Sequence, residues 1–395
     1  MWPESVRRRG ADAVFEACRR AGITDVFFLT KGLAGTAAFL SPAVPPMIPG
    51  RDLLREALSA AHRLGMRLHA WFTSASDERF KNEHPESGLY HYRDGRNRGI
   101  VSLCDREYIR YMQSLLGDML RRYDVDGVHL DYIRYNHLIY GWSERDQARY
   151  AAQGVDLPHV RRLMERTFCA DPPEREAIFD AFRNGDQDVI LLARARRGDV
   201  NAFAGALSEA VRAARADVVL SAALMPEGAC DDLAFSDLHY GQNYRDLSEM
   251  MDLFLPMAYS QAYGRDSEWV RAVARGTARH GVRTVVGLHA FEGGTGLTLR
   301  RDLDAVERET ALDGVCLFRE GAAVWAYACG QRLSLLNPLS VPVTACAATG
   351  QGQCATVDAR VEPGCQQDFR LPFVPDVVRA YSGNDEVCVF TVREV

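Results

Sequence analysis

Short apolar runs recur along the chain, each preceded by a stretch of helical periodicity that ends at or near glycine. The helix Glu4–Ala21, stopped by Gly22, leads into Asp25–Lys31. Arg51–Leu64, stopped by Gly65, leads into Arg67–Thr73, and Asp105–Tyr123 leads into Gly127–Tyr135. Asn201–Ala216 leads into Val218–Pro226, and a polar-aromatic stretch leads into Asp252–Ser260. Asp266–His280 leads into Thr284–Ala290, and Arg300–Leu312 into Val315–Arg319. Glycine after a last helical turn is an expected stop, because it takes the left-handed conformation at little cost. Helix-then-strand units in series require crossover connections, hence a parallel sheet covered on its outer face. Seven strands are legible, and an eight-stranded β/α-barrel, an α/β fold, is the closure they predict. The missing strand is the first. Either a segment upstream of the opening helix is absent, or the tail strand Glu386–Val392 fills the gap.

The pattern divides the chain into a barrel over residues 1–335 and a small β-rich, cysteine-containing module over 336–395, punctuated by Pro338, Pro342, Pro363, Pro372 and Pro375. One connection is long: about 80 residues separate the runs 127–135 and 218–226, where a loop and one helix would suffice. Arg145–Ala152, Pro158–Phe168, Pro173–Arg183 and Gln187–Arg196 have helical periodicity. An excursion from that point leaves the catalytic face of a barrel, so the insertion 136–200 is expected over the mouth; a helical bulge to one side is the alternative.

Composition narrows the picture a little. A net charge of −6 offers no basic surface for nucleic acid or for a membrane. No apolar run is long enough to span a bilayer. Arg7, Arg8, Arg9, Arg19 and Arg20 make the first residues too charged for a signal-peptide core, so any such peptide was removed or never existed. Four of the ten cysteines, Cys346, Cys354, Cys365 and Cys388, crowd into the tail. Two disulfides in an oxidising compartment are expected there, with free thiols or, lacking a C-x-x-C pair, a zinc site as alternatives.

Strand parity then selects candidate chemistry, since alternate residues face the barrel interior. Val128 and Leu130 suit the helix interface, which turns His129 and Asp131 inward, with Asp131 at the C-terminal mouth where barrel enzymes act. A carboxylate there needs partners or water. It is a working group, or a structural one bonded to His129 or His69. By the same parity Ser221, Ala223, Met225 and Glu227 share the inner phase, and Glu227 falls at the strand's end as a second carboxyl or as a solvated loop residue. His69 and Trp71, Met257 and Tyr259, and His289 also point inward. Trp71 is either a platform for a sugar ring or a packing residue under a loop. Glu292, just past the last of these strands, is a further carboxyl candidate.

The stretch Tyr123–Tyr135, YDVDGVHLDYIRY, resembles the glycosyl-hydrolase-like family 10 group of bacterial barrel proteins. The later Asp252–Tyr259 (DLFLPMAY), Tyr240–Tyr244 (YGQNY) and His69–Phe72 fit the same group, so the likeness covers roughly residues 20–330. It implies a carbohydrate-active enzyme, generally extracytoplasmic, so a secreted or periplasmic location and a carbohydrate substrate are expected. Chitinase-type barrels are a more distant likeness. Aligned on their motif, Asp126 and Asp131 match the first and third aspartates, His129 replaces the second, and Ile133 stands where their acid would be. Amylase-type barrels, with an aspartate nucleophile ending strand four and a glutamate acid ending strand five, fit Asp131 and Glu227 better.

The leading expectation is therefore hydrolysis of a glycosidic bond in a polysaccharide or cell-wall glycan by two carboxyl groups. Asp131, Glu227 and Glu292 are the catalytic candidates. His69, Trp71, His129, Arg134, Met257, Tyr259 and His289 are the substrate-binding ones, with no cofactor or metal. A carbohydrate-binding barrel without turnover is the alternative. A metal-dependent hydrolase built on His69, His129, Asp131 and His289 is a third possibility.

Overall fold

The computed structural model describes residues 1–290, 296–319, 325–337, 342–349, 352, 354–362, 365–382 and 385–391. Seven parallel strands form one curled sheet in chain order: β1 (Asp25–Lys31), β2 (Arg67–Thr73), β3 (Gly127–Asp131), β4 (Val219–Leu224), β5 (Leu253–Pro256), β6 (Arg283–His289) and β7 (Gly314–Phe318). Each expected run forms its strand, and the two expected Asp25–Lys31 and Arg67–Thr73 keep their full length.

Most of the helices between strands start on aspartates. Asp52, Asp105, Asp186 and Asp266 each accept a hydrogen bond from a backbone N–H of the first turn, satisfying donors that have no partner within the helix. Their apolar stripes cover the outer face of the sheet, where Phe28, Leu68, Phe72, Val128, Leu130 and Leu220 are fully buried. The expected single opening helix is two, Pro3–Arg9 and Ala11–Arg20, because Gly10 between them adopts φ +80°.

The tail strand does not close the barrel. Asp385–Thr391 pairs with Val377–Ser382 in a separate four-stranded antiparallel sheet. At the seam between β7 and β1 the backbone of Met1 lies against β1 instead, its N–H donating to Phe27 O at 2.5 Å and its carbonyl accepting from Leu29 N at 2.9 Å.

The long connection is helical. Glu144–Ala152, Leu157–Phe168 and Ala177–Arg183 precede a 28-residue helix, Gln187–Ala214, in which the last helix of the excursion and the helix packed on the barrel are continuous. The excursion has its own apolar cluster around Trp142, Tyr150, Met164, Phe179 and Leu192, which also takes in Tyr92 from the loop after β2 and Leu238 from the loop after β4. It thus packs on loops at the C-terminal face. Arg196 fastens it: fully buried, it donates to the carbonyls of Tyr140, His137 and His239, and its guanidinium lies 3.7 Å from the centre of the Tyr135 ring.

Beyond the barrel, the antiparallel sheets share a small core of Leu333, Leu335, Val343, Ala345, Val361 and Val378. Cys346 and Cys354 sit on neighbouring strands with their sulfurs 2.8 Å apart. Cys365 is an exposed thiol, and the Cys388 side chain lies outside the described residues. A Cys346–Cys354 bond should therefore form in oxidised protein, and its loop entropy corresponds to about 2 to 3 kcal/mol. Non-reducing peptide mapping should recover the cross-linked pair, and Cys346→Ser should lower the melting temperature. Two alkylatable thiols in protein purified from an oxidising compartment would overturn this.

Candidate active site

Two histidines project into the barrel interior, and their partners lie sideways. His69 Nε2 meets Asp25 Oδ1 at 3.1 Å, and its ring stacks on Phe27. Gly127 leaves the room this ring needs, since a Cβ there would lie 2.0 Å from His69 Nδ1. His129 Nδ1 meets Ser221 Oγ at 2.9 Å, and burial pushes its pKa down to about 3, so it is neutral. Neither histidine holds Asp131.

Asp131 is held from above. Its Oδ2 accepts from Trp71 Nε1 at 3.1 Å, and its Oδ1 from the Tyr132 backbone N–H at 2.7 Å. Tyr132 itself takes the left-handed conformation, φ +56°. That costs energy for a tyrosine and is a form of strain concentrated at functional sites. Burial raises the Asp131 pKa, while Arg134 and the two donors oppose the shift. Asp131 lines a cavity of about 1010 Å³ that runs from the strand starts at Asp25 and Arg67 up to Trp71, Tyr132, Arg134, Met257, Tyr259 and Phe318 at its mouth.

The aromatic residues form a continuous wall. Tyr259 stacks on Phe318 with centroids 5.5 Å apart, and Trp71 meets the edge of Phe318 at 5.9 Å. Trp71 thus positions the carboxylate as well as lining the cavity. His69 and His129 line the deeper cavity. His289 is buried edge-on to Tyr259, one layer behind the cavity wall. The metal set raised as a third possibility does not converge, because His69 is turned to Asp25, His129 to Ser221 and Asp131 to Trp71. Asp126 is a tie between strands, its Oδ2 accepting from Leu68 N at 2.8 Å and meeting His62.

Glu227 lies past the end of β4, in the short 3-10 turn Pro226–Cys230, and does not line the cavity. Burial, reinforced by Asp232, pushes its pKa up to about 7; Arg134 and the Tyr263 hydroxyl oppose this. Its Oε2 is buried and accepts no hydrogen bond. Arg134 is the cation whose field reaches both carboxyl groups. Glu292 lies outside the described residues.

Two positioning groups were not recognised as such in the sequence. Gln242 is fully buried. Its Oε1 accepts from Met225 N at 2.9 Å, and its Nε2 donates to Ala223 O at 3.2 Å and to Ile133 O at 3.4 Å. It thereby ties the end of β4 to the segment after Asp131. A glutamine in a loop carries no hint of this; only its place in the YGQNY motif marked it.

The second is Gly276, in the helix Ser267–Ala278, against which the Glu227 turn packs. A Cβ at this position would lie 1.8 Å from Ala229 O. Gly→Ala inside a helix ordinarily stabilises by about 1 kcal/mol. Here the overlap with fixed backbone should reverse the sign, so Gly276→Ala is expected to destabilise by about 1 to 3 kcal/mol and to displace Glu227. A raised melting temperature would contradict this contact.

No helix among the described residues is long and apolar enough to cross a membrane. No curated protein matches the sequence. Among solved structures, the chain is similar to the PgaB (BpsB) glycoside hydrolase domain from Bordetella bronchiseptica, with a TM-score of 0.61 and 16% identity over 79% of this chain and 88% of that one. It is also similar to the catalytic domain of β-amylase from Paenibacillus polymyxa, with a TM-score of 0.56 and 10% identity over 82% and 90% of the two chains. With β-galactosidase from the psychrophilic Marinomonas ef1 the TM-score is 0.57 at 14% identity, over 81% of this chain and 53% of that one. At such identities the likeness is one of fold, a TIM barrel of the glycoside-hydrolase kind, here with an additional β-rich C-terminal region. The model of glycosyl hydrolase-like 10 matches residues 40–290, which is most of the barrel, and the chain belongs to that family.

Proposed function

We propose that this protein hydrolyses glycosidic bonds in a polysaccharide or cell-wall glycan, with Asp131 as the ionised carboxylate and Glu227 as the acid. The observation that carries the reading is the contrast between the two carboxyl groups. Asp131 opens on the cavity and is held by two donors that favour its charged form. Glu227 is buried, titrates near neutrality and keeps one oxygen without a partner. Two carboxyls with environments that differ in this way are what protonation of a leaving oxygen and stabilisation of an oxocarbenium-like state require. Trp71, Arg134, Met257 and Tyr259 would contact the sugar, His69 and His129 would line the deeper cavity, and His289 would support Tyr259.

The chemistry predicts release of new reducing ends from a panel of polysaccharides. NMR of the first product anomer then assigns the role of Asp131: nucleophile if configuration is retained, base if it is inverted. A carbohydrate-binding barrel without turnover is the second reading, favoured by the position of Glu227 outside the cavity lining. Saturable glycan binding with no reducing ends from any polymer would select it. We also propose a secreted or periplasmic location, supported by the paired thiols of the tail, and a boundary near residue 335 between the barrel and a C-terminal module.

A further inference from the structure

Arg134 has more to do than steady its neighbours. It stands three residues past Asp131 and lines the mouth of the cavity. The rings of Tyr132 and Tyr240 lie 4.9 and 5.9 Å from its guanidinium carbon, and contacts over ring faces leave the in-plane N–H donors open. Among the described residues it forms no ion pair, and its Nε is buried without an acceptor. Both carboxyl groups feel its charge, yet neither bonds to it.

An unpaired guanidinium at this place is a liability for the proposed reaction. The transition state of glycoside hydrolysis carries positive charge on the sugar ring, and a fixed cation nearby raises its energy. An anion arriving with the substrate would remove that penalty. It would also satisfy donors that the protein leaves bare, and the planar fork of arginine matches a carboxylate or sulfate oxygen pair. We infer that the glycan is acidic, and that Arg134 binds an anionic substituent, a uronate carboxylate or a sulfate ester, on the sugar next to Asp131. This rests on the cavity being the glycan site. It does not require turnover.

The test is calorimetric binding to the full chain of galacturonate and glucuronate oligomers, their carboxyl-reduced neutral counterparts, and a sulfated galactan oligomer with its desulfated form. Arg134→Gln should weaken the acidic oligomer by about 10- to 100-fold, the range expected for hydrogen bonds to a charged group, with Arg134→Lys intermediate. The neutral counterparts should bind wild type weakly and should lose far less affinity in Arg134→Gln than the acidic oligomer does, and the uronate and sulfate arms identify which anion is read. Matching circular dichroism and melting curves establish that the variants are folded.

Equal affinity of wild type for acidic and neutral oligomers, unchanged acidic affinity in Arg134→Gln, or no binding of any acidic oligomer would each overturn the inference. Release of reducing ends is followed in the same samples. Arg134-dependent acid binding without cleavage leaves the inference standing and removes the hydrolase reading; cleavage of neutral glycans that is indifferent to Arg134 does the reverse.

Discussion

Asp131→Asn is expected to lower kcat/KM on the cleaved glycan by on the order of 10³-fold or more while the protein stays folded. Amide and carboxylate have nearly the same shape, so the packing around Trp71 and Tyr132 is preserved. The substitution instead removes the charge that faces the sugar. It also turns one acceptor into a donor, opposite either the Trp71 indole N–H or the Tyr132 backbone N–H. That mismatch is local, because each donor lies at the cavity mouth, where solvent or substrate offers another acceptor. The measurement is kcat/KM alongside a melting curve. Turnover near the wild-type level would remove Asp131 from the mechanism; lost turnover with a collapsed melting temperature would make it a structural residue.

The second large effect concerns Glu227. As general acid it works protonated, and its pKa lies at about 7 because it is buried. Activity should therefore fall as pH rises through about 7. It should fall again at low pH as Asp131, itself raised above the ordinary aspartate range by burial, takes up its proton. Glu227→Gln cannot titrate. Turnover of natural glycans should drop by about 10²- to 10⁴-fold, and the alkaline limb of the profile should disappear. Aryl glycosides whose phenol leaves without protonation should lose far less. An alkaline limb that survives in Glu227→Gln, with ordinary turnover, would hand the acid role to Glu292.

How much of this was legible beforehand varies from one residue to the next. The inward direction of His129 and Asp131 followed from parity alone, because a strand has a side-chain period of two whatever surrounds it. For Glu227 parity had run out: β4 ends at Leu224, and a 3-10 turn carries the carboxyl away from the cavity lining. The partners of the buried groups were not legible at all. A histidine was the partner considered for Asp131 only on the alternative that it is structural, and the tertiary structure gives that place to Trp71 from the adjacent strand.

The sequence by itself determined the elements and their order, because helix stops, aspartate caps and apolar runs act over a few residues. It also determined the family, through motifs that each lie within one short stretch of chain. The tertiary structure decided what depends on which distant segments meet. Met1 and not the tail lies against β1 at the seam. Gln242 ties the segment after β4, 17 residues away, to the segment after β3, 109 residues away. Arg134 stands beside two carboxyl groups and pairs with neither. Local periodicity is blind to such meetings: hydrogen-bond partners and the field at a buried charge are set by the curvature of the whole sheet, which no single stretch of residues encodes.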